Sequence, residues 1–193
     1  MRTIVLDLET KKIFDEVEGG KHSLLGVSVA GVWDSTDNQL KAFFENELPK
    51  LWPVLEAAQL IIGFNIKKFD WPVLEPYYPG NIKNLPTLDL LEIVKDKAGF
   101  RLRLDDLAVA TLGRRKSGHG LQAVKFYKEG RLEELAAYCL DDVVITRDLY
   151  HYALKNGHLK YYDLGKVLKT FEVDLTAILP KKNNEDTQMS LGV

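Results

Sequence analysis

The stretch TIVLDLET, residues 3–10, constrains the fold more than any other. Its β-branched and leucine-rich character reads as a buried strand. Asp7 and Glu9 interrupt that run. In a strand, residues i and i+2 share a face, so Val5, Asp7 and Glu9 point the same way. Two anions so close repel, and each loses water if buried. A bound cation resolves both costs, and oxygen donors select Mg²⁺, Mn²⁺ or Ca²⁺ rather than zinc. The competing reading is that the strand ends at Leu8 and leaves Glu9 in water.

The rest of the chain alternates between strand and helix signals. Residues 23–33 read as a second strand, DSTDN (34–38) as a turn, and 39–44 as a third strand. Short turns make these three antiparallel. Residues 47–58 are helical, with Pro49 tolerated near the start. QLIIGFN (59–65) is a short buried strand, and Asp70 opens a short helix with Pro72 in its first turn. LPTLDLL (85–91) fits a fifth strand running into a helix that reaches about Lys97. Residues 104–113 form a helix stopped by Gly113. GRRKSGHG (113–120) is a glycine-rich basic loop. A short helix near 121–128 leads to a long one over about 131–155. Strands that arrive after helices can run parallel to the first. The expectation is an α/β fold built on a five-stranded mixed sheet flanked by helices. Strands 1–3 are antiparallel in it, and strands 4 and 5 are parallel to strand 1. Residues 159–175 add a C-terminal hairpin with Gly165-Lys166 at its turn. Residues 1–179 are read as one domain and 180–193 as a polar tail.

Composition narrows the function. With 193 residues and 46% hydrophobic content the chain can bury a core. It has no apolar run long enough for a membrane span, and its start does not resemble a signal peptide. The single cysteine, Cys139, excludes an internal disulfide framework. These features point to a soluble, intracellular, cytoplasmic protein. Net charge is −2, so no overall basic character advertises nucleic acid. The charge is unevenly placed, though. Residues 1–47 hold 5 Lys/Arg against 9 Asp/Glu, whereas residues 95–131 hold 10 against 4. That suits a metal site beside an anion-binding surface, and equally an ordinary mixed surface.

The long helix carries a further carboxylate. With Leu135 at zero and 100° per residue, Cys139, Thr146, Leu149 and Ala153 all fall within about 40°. Asp142 falls at about −20°, inside this apolar stripe, and Asp141 at about −120°, towards solvent. Tyr138 lies near −60°, one turn before Asp142. A buried aspartate needs a partner. In GFNIKKFDWPVL (63–74), Asn65 follows a buried strand and Asp70 begins a helix. Asp70 is either an N-cap or a carboxylate placed at the sheet edge. Asp89, Asp105 and Asp106 read as capping or surface groups.

Taken together, LDLET, GFNIKKFD and YCLDD resemble the three motifs of the DnaQ-like (DEDD) 3′→5′ exonucleases of the ribonuclease H-like fold. The first is Asp7-Leu8-Glu9, the second Asn65 with Phe69-Asp70, and the third Tyr138 with Asp142, the pattern of the DEDDy subclass. Residues 116–150 are similar to predicted nucleases related to the exonuclease domain of family B polymerases. The resemblance implies two divalent cations, Mg²⁺ or Mn²⁺, held by Asp7, Glu9, Asp70 and Asp142. It implies that Tyr138 orients the attacking water. The substrate would be single-stranded DNA or RNA with a 3′ end, DNA favoured. Thr10, Asn65, Phe69, Arg114, Arg115, Lys116 and His119 are the candidate substrate contacts, the last four as a phosphate clamp. Ile13 and Phe14, after the first motif, are candidates to wedge or stack the terminal base, and either equally suits a place in the core. The chain shows no polymerase domain, so a polymerase or helicase partner is an expectation too. Three other readings stand beside this one: a ribonuclease H-like endonuclease, a catalytically silent nucleic-acid-binding module, and a structural partner of a polymerase or helicase.

Overall fold

The computed structural model describes residues 1–116, 118 and 120–176. The C-terminal tail and His119 therefore lie outside the described residues. Among the described residues, seven strands and six α-helices run in this order: β1 (Thr3–Thr10), β2 (Val27–Asp34), β3 (Gln39–Phe44), α1 (Leu48–Glu56), β4 (Leu60–Gly63), α2 (Asp70–Leu74), β5 (Thr87–Asp89), α3 (Leu90–Ala98), α4 (Leu104–Leu112), α5 (Gly120–Lys128), α6 (Leu132–Asn156), β6 (His158–Tyr162) and β7 (Leu168–Glu172).

The five-stranded sheet has the order β3-β2-β1-β4-β5. β1 is antiparallel to β2, and β2 to β3, whereas β4 is parallel to β1 and β5 parallel to β4. This is the expected α/β arrangement, a mixed sheet flanked by helices. β6 and β7 form the expected separate hairpin, with Lys166 left-handed at its turn.

Alternation along β1 decides which helices lie where. Ile4, Leu6 and Leu8 face one core with Leu51, Leu55 and Trp71, from α1 and α2. Val5 faces the other core with Leu107, Val143 and Leu149, from α4 and α6. Asp7 and Glu9 continue the Val5 face and so lie on the α6 side of the sheet. β1 runs through Thr10, with an irregularity between Glu9 and Thr10. The alternative that the strand stops at Leu8 is therefore overturned.

Two strands differ most from expectation. The second strand begins at Val27, not at residue 23, because residues 22–24 form a 3₁₀ turn. Gly26 then adopts φ +67°, and its carbonyl accepts the Lys11 N–H. The fifth strand spans only Thr87–Asp89, since Asp89 turns the chain into α3 by accepting the Leu91 N–H at 3.0 Å. The helix stop at Gly113 is as expected, with φ +67°.

Candidate active site

β1 overhangs β4. The parallel ladder between them ends at Val5 and Ile62, so the last part of β1 has no strand on that side. Asp70 fills the gap, accepting the Leu8 N–H at 3.1 Å. An orphaned strand donor thus finds a buried carboxylate. The side chain that satisfies the backbone between Asp7 and Glu9 is itself the second-motif aspartate.

The turn that presents Asp70 is built by Gly63, Asn65 and Asp89. A Cβ on Gly63 would lie 2.5 Å from that of Ile66, so the chain folds back there only with glycine. Asn65 sits at φ +71°, a conformation asparagine adopts more readily than most residues. The Asp89 carboxylate holds this turn from across the sheet, accepting the Asn65 N–H at 2.8 Å and the Lys67 N–H at 3.1 Å. Asp89 therefore caps α3, as its position suggests, and also braces the second motif. Asn65 has a structural reason for being asparagine, whatever its side chain also touches.

α6 brings the third motif to the same face. Gly31 in β2 lies opposite Asp7 in the ladder. A Cβ there would come within 3.0 Å of Cys139 Sγ and 3.1 Å of Leu140 and Val143 methyls. With glycine, the helix settles close to the sheet. Ligand oxygens of Asp7, Glu9 and Asp142 all lie within 4.8 Å of one another. Asp70 stands outside that group of three but is coupled to it electrostatically through Asp7. The helical-stripe reading of Asp142 holds, since it is 3% exposed.

Such a cluster strains its own charges. Burial, then Asp142, push the Asp7 carboxyl well above the usual range, against the opposing pull of Lys116. Burial, Asp7 and Asp142 do the same to Glu9. Asp70 is raised by burial and then by Asp7. Asp142 is also raised, since burial outweighs its lysine partner.

Lys116 is that partner. Its Nζ lies 2.5 Å from Asp142 Oδ2 and 5.6 Å from the centre of the Tyr138 ring. Burial works against its charge, but Asp142 and Asp7 more than compensate and hold it above the ordinary lysine range. The backbone N–H of Lys116 is anchored by Asp105 at 2.9 Å. Lys116 thus serves as an internal counter-ion to Asp142. Its neighbours differ. Arg114 pairs with Asp141 on α6, with Asp148 at 4.0 Å, whereas Arg115 is exposed.

Two of the four buried side-chain atoms without a hydrogen-bond partner among the described residues belong to this cluster: Tyr138 Oη and Asp142 Oδ1. Native structures leave few such groups unpaired. Burial, then Glu9 and Asp142, raise the Tyr138 phenol although Lys116 opposes them, so it remains a neutral O–H donor. Cys139 Sγ donates to the Asp7 carbonyl at 3.4 Å, and burial followed by the surrounding carboxylates keeps it a thiol. The donor set is carboxylate oxygen, the chemistry of a hard divalent cation. The residues present fit such an ion, and the orphaned Asp142 oxygen gives it a ready ligand.

Phe69, which precedes Asp70 in the chain, belongs to a group of three aromatic rings. Phe14, His22 and Phe69 meet edge-to-face with centroids 5.0–6.1 Å apart. Phe14 is 44% exposed. The sequence pattern named Phe14 and Phe69 but missed His22, which only the 3₁₀ turn after the first motif brings alongside. Thr10 is buried and donates to the Lys12 carbonyl at 2.8 Å, which ties down the end of β1.

The family model described as RNase H superfamily matches residues 4–154. The chain belongs to the RNase H superfamily. No curated protein matches it. Among solved structures, one similar chain is the family B DNA polymerase from the hyperthermophilic archaeon Pyrobaculum calidifontis. The match has 19% identity and a TM-score of 0.58, and covers 79% of this chain but 24% of the polymerase. The chain thus spans about a quarter of that protein's length, and the likeness is one of fold. As in other members of this superfamily, the fold is one on which nucleases are built. Among the described residues no helix is long and apolar enough to cross a membrane.

Proposed function

We propose that this chain is a metal-dependent DEDDy nuclease of the RNase H superfamily, removing nucleotides from the 3′ end of single-stranded nucleic acid, DNA favoured. The observation that carries the reading is the convergence of Asp7, Glu9 and Asp142 within 4.8 Å, beside a buried Tyr138 hydroxyl that has no partner among the described residues. Asp7, Glu9 and Asp142, with Asp70 in support, would hold two Mg²⁺ or Mn²⁺ ions. When bound, those ions activate a water and stabilise the leaving oxygen of an in-line displacement. The neutral Tyr138 O–H donates to the incoming water and fixes its approach. Lys116 already sits against Asp142 and is placed to meet the negative charge of a scissile phosphate. Phe14, His22 and Phe69 offer faces and edges on which a terminal base can stack. The likeness to part of a family B polymerase supports a replication or repair setting, with a polymerase or helicase as partner. Asn65 and Arg115 remain candidate contacts to sugar and phosphate.

A 5′-labelled single strand, DNA and RNA side by side, tests the reading with Mg²⁺ and with chelator. A ladder of shortening products that disappears with chelator, and in Asp142→Asn, is the expected result. A single internal cut favours the endonuclease reading. A mobility shift without cleavage favours a binding module.

A further inference from the structure

A cavity of about 780 Å³ opens between the loop before α4 and the C-terminal hairpin. Its walls include Phe100, Arg101, Arg115, Tyr161, Tyr162 and Leu164. Three of these are exposed apolar or aromatic side chains: Phe100 at 44%, Tyr162 at 49% and Leu164 at 107%. Soluble proteins seldom gather such groups on one surface without use for them.

The cavity is built and not a gap beside a loose hairpin. Thr111 of α4 exchanges hydrogen bonds with the backbone of Lys160 at 3.1 and 3.0 Å. Phe100 meets Tyr161 edge-on at 5.3 Å, and Tyr161 in turn packs on Phe171 of the core. The charges are unequal in their partners. Asp106 is taken by the two-pronged Arg103 contact, Asp105 by the Lys116 N–H, and Asp163 by the Val167 N–H and Lys169. Arg101 and Arg115 have no ion-pair partner among the described residues and are exposed. Asp105 keeps its negative charge, so two unpaired arginines stand against one aspartate in the lining, and a net positive wall beside aromatic faces is the combination that binds unpaired nucleic acid through phosphates and base stacking.

Position joins this cavity to the carboxylates. Arg115 lines it, and the next residue is Lys116, whose Nζ contacts Asp142. Asp105, another lining residue, holds the Lys116 backbone. One loop is thus a wall of both sites. We propose that this cavity takes an upstream nucleotide of the single strand whose 3′ end lies at Asp7, Glu9 and Asp142, its base on Tyr162 and its phosphate on Arg101 and Arg115. The inference rests on the nuclease reading above and extends it with a second point of attachment, which favours longer strands.

The test uses the full chain and fluorescein-labelled single strands in chelator, so that binding is read without turnover. Wild type gains affinity between a trinucleotide and a strand of about 16 nucleotides. Tyr162→Ala and Arg101→Gln, both exposed and checked for an unchanged circular dichroism spectrum, lose that gain, weakening the longer strand about tenfold or more. Arg101→Gln also lowers the slope of log K against log salt by about 0.7. If both variants bind the longer strand as wild type does, the cavity proposal is overturned. Should wild type then still cleave with Mg²⁺, the nuclease reading survives that failure. Length-dependent binding lost in the variants, in a protein that does not cleave, supports the cavity and sinks the hydrolytic reading instead.

Discussion

Lys116 and Tyr138 are the two side chains whose surroundings most sharply separate chemistry from architecture. Lys116 neutralises part of a carboxylate group that has too much negative charge to be comfortable in its burial. Lys116→Ala removes the cation and leaves Asp142 buried and unpaired. Without divalent metal, stability should fall by about 1–3 kcal/mol, tempered by the partial exposure of the lysine. The rise in Tm on adding Mg²⁺ should then be larger than in wild type, since the ion replaces a missing charge and displaces none. Paired thermal melts with and without Mg²⁺ check this, and an equal or smaller metal-induced shift contradicts it. Tyr138 gives the opposite signature. Its hydroxyl is buried without a partner among the described residues, so Tyr138→Phe should cost the metal-free fold little and can stabilise it slightly. Turnover, in contrast, should drop on the order of a hundredfold with little change in KM. A destabilised Tyr138→Phe with normal turnover would assign the residue to packing.

Elements are placed by features of unequal visibility. The face shared by Asp7 and Glu9 follows from the strand period, and the burial of Asp142 from the helical period. Both were legible because regular structure turns spacing into direction. Short turns also made the antiparallel start of the sheet legible. The closeness of α6 to β2 was not. It depends on Gly31, one small residue in a run that reads simply as apolar strand. The inward pairing of Lys116 with Asp142 was equally hidden. A loop has no period, so its sequence suggested a phosphate clamp and gave no sign that the ammonium turns inward to Asp142. The bracing of residues 65–67 by Asp89 spans the gap between two strands and leaves no local pattern. Gly31→Ala tests the helix placement. The new methyl collides with Cys139, Leu140 and Val143, which should cost about 1–3 kcal/mol in overpacking. Moving α6 away from β1 should also separate Asp142 from Asp7 and weaken Mn²⁺ binding. Denaturant melts and a Mn²⁺ titration on the same variant read both effects, and full stability with unaltered metal binding would remove Gly31 from the account.

Across the whole molecule, a sheet covered on both faces carries strained like charges at one end and a well-made ion pair at the other. Arg2, just before β1, grips Asp34 at the end of β2, with 2.6 Å between Nη2 and Oδ2. Burial alone would raise Asp34, but Arg2 and the Thr36 N–H together hold it below the usual carboxylate range. The folded-state pKa lies under the unfolded one, so the pair stabilises above the unfolded value. That stability is lost as pH falls through the folded value. Arg2→Ala should lower stability by about 1 kcal/mol at neutral pH, with the difference from wild type shrinking in acid below about pH 4. Melts across that range check the sign. The central claim concerns the other end, where Asp7, Glu9, Asp142 and Asp70 form a site for divalent cations. Mn²⁺ titration followed by electron paramagnetic resonance reads it directly, without substrate or turnover. Wild type should remove free Mn²⁺ signal saturably, Mg²⁺ should compete, and Asp7→Asn should bind at least about tenfold more weakly with its fold intact. Equal Mn²⁺ binding by wild type and Asp7→Asn, or none by either, would contradict it.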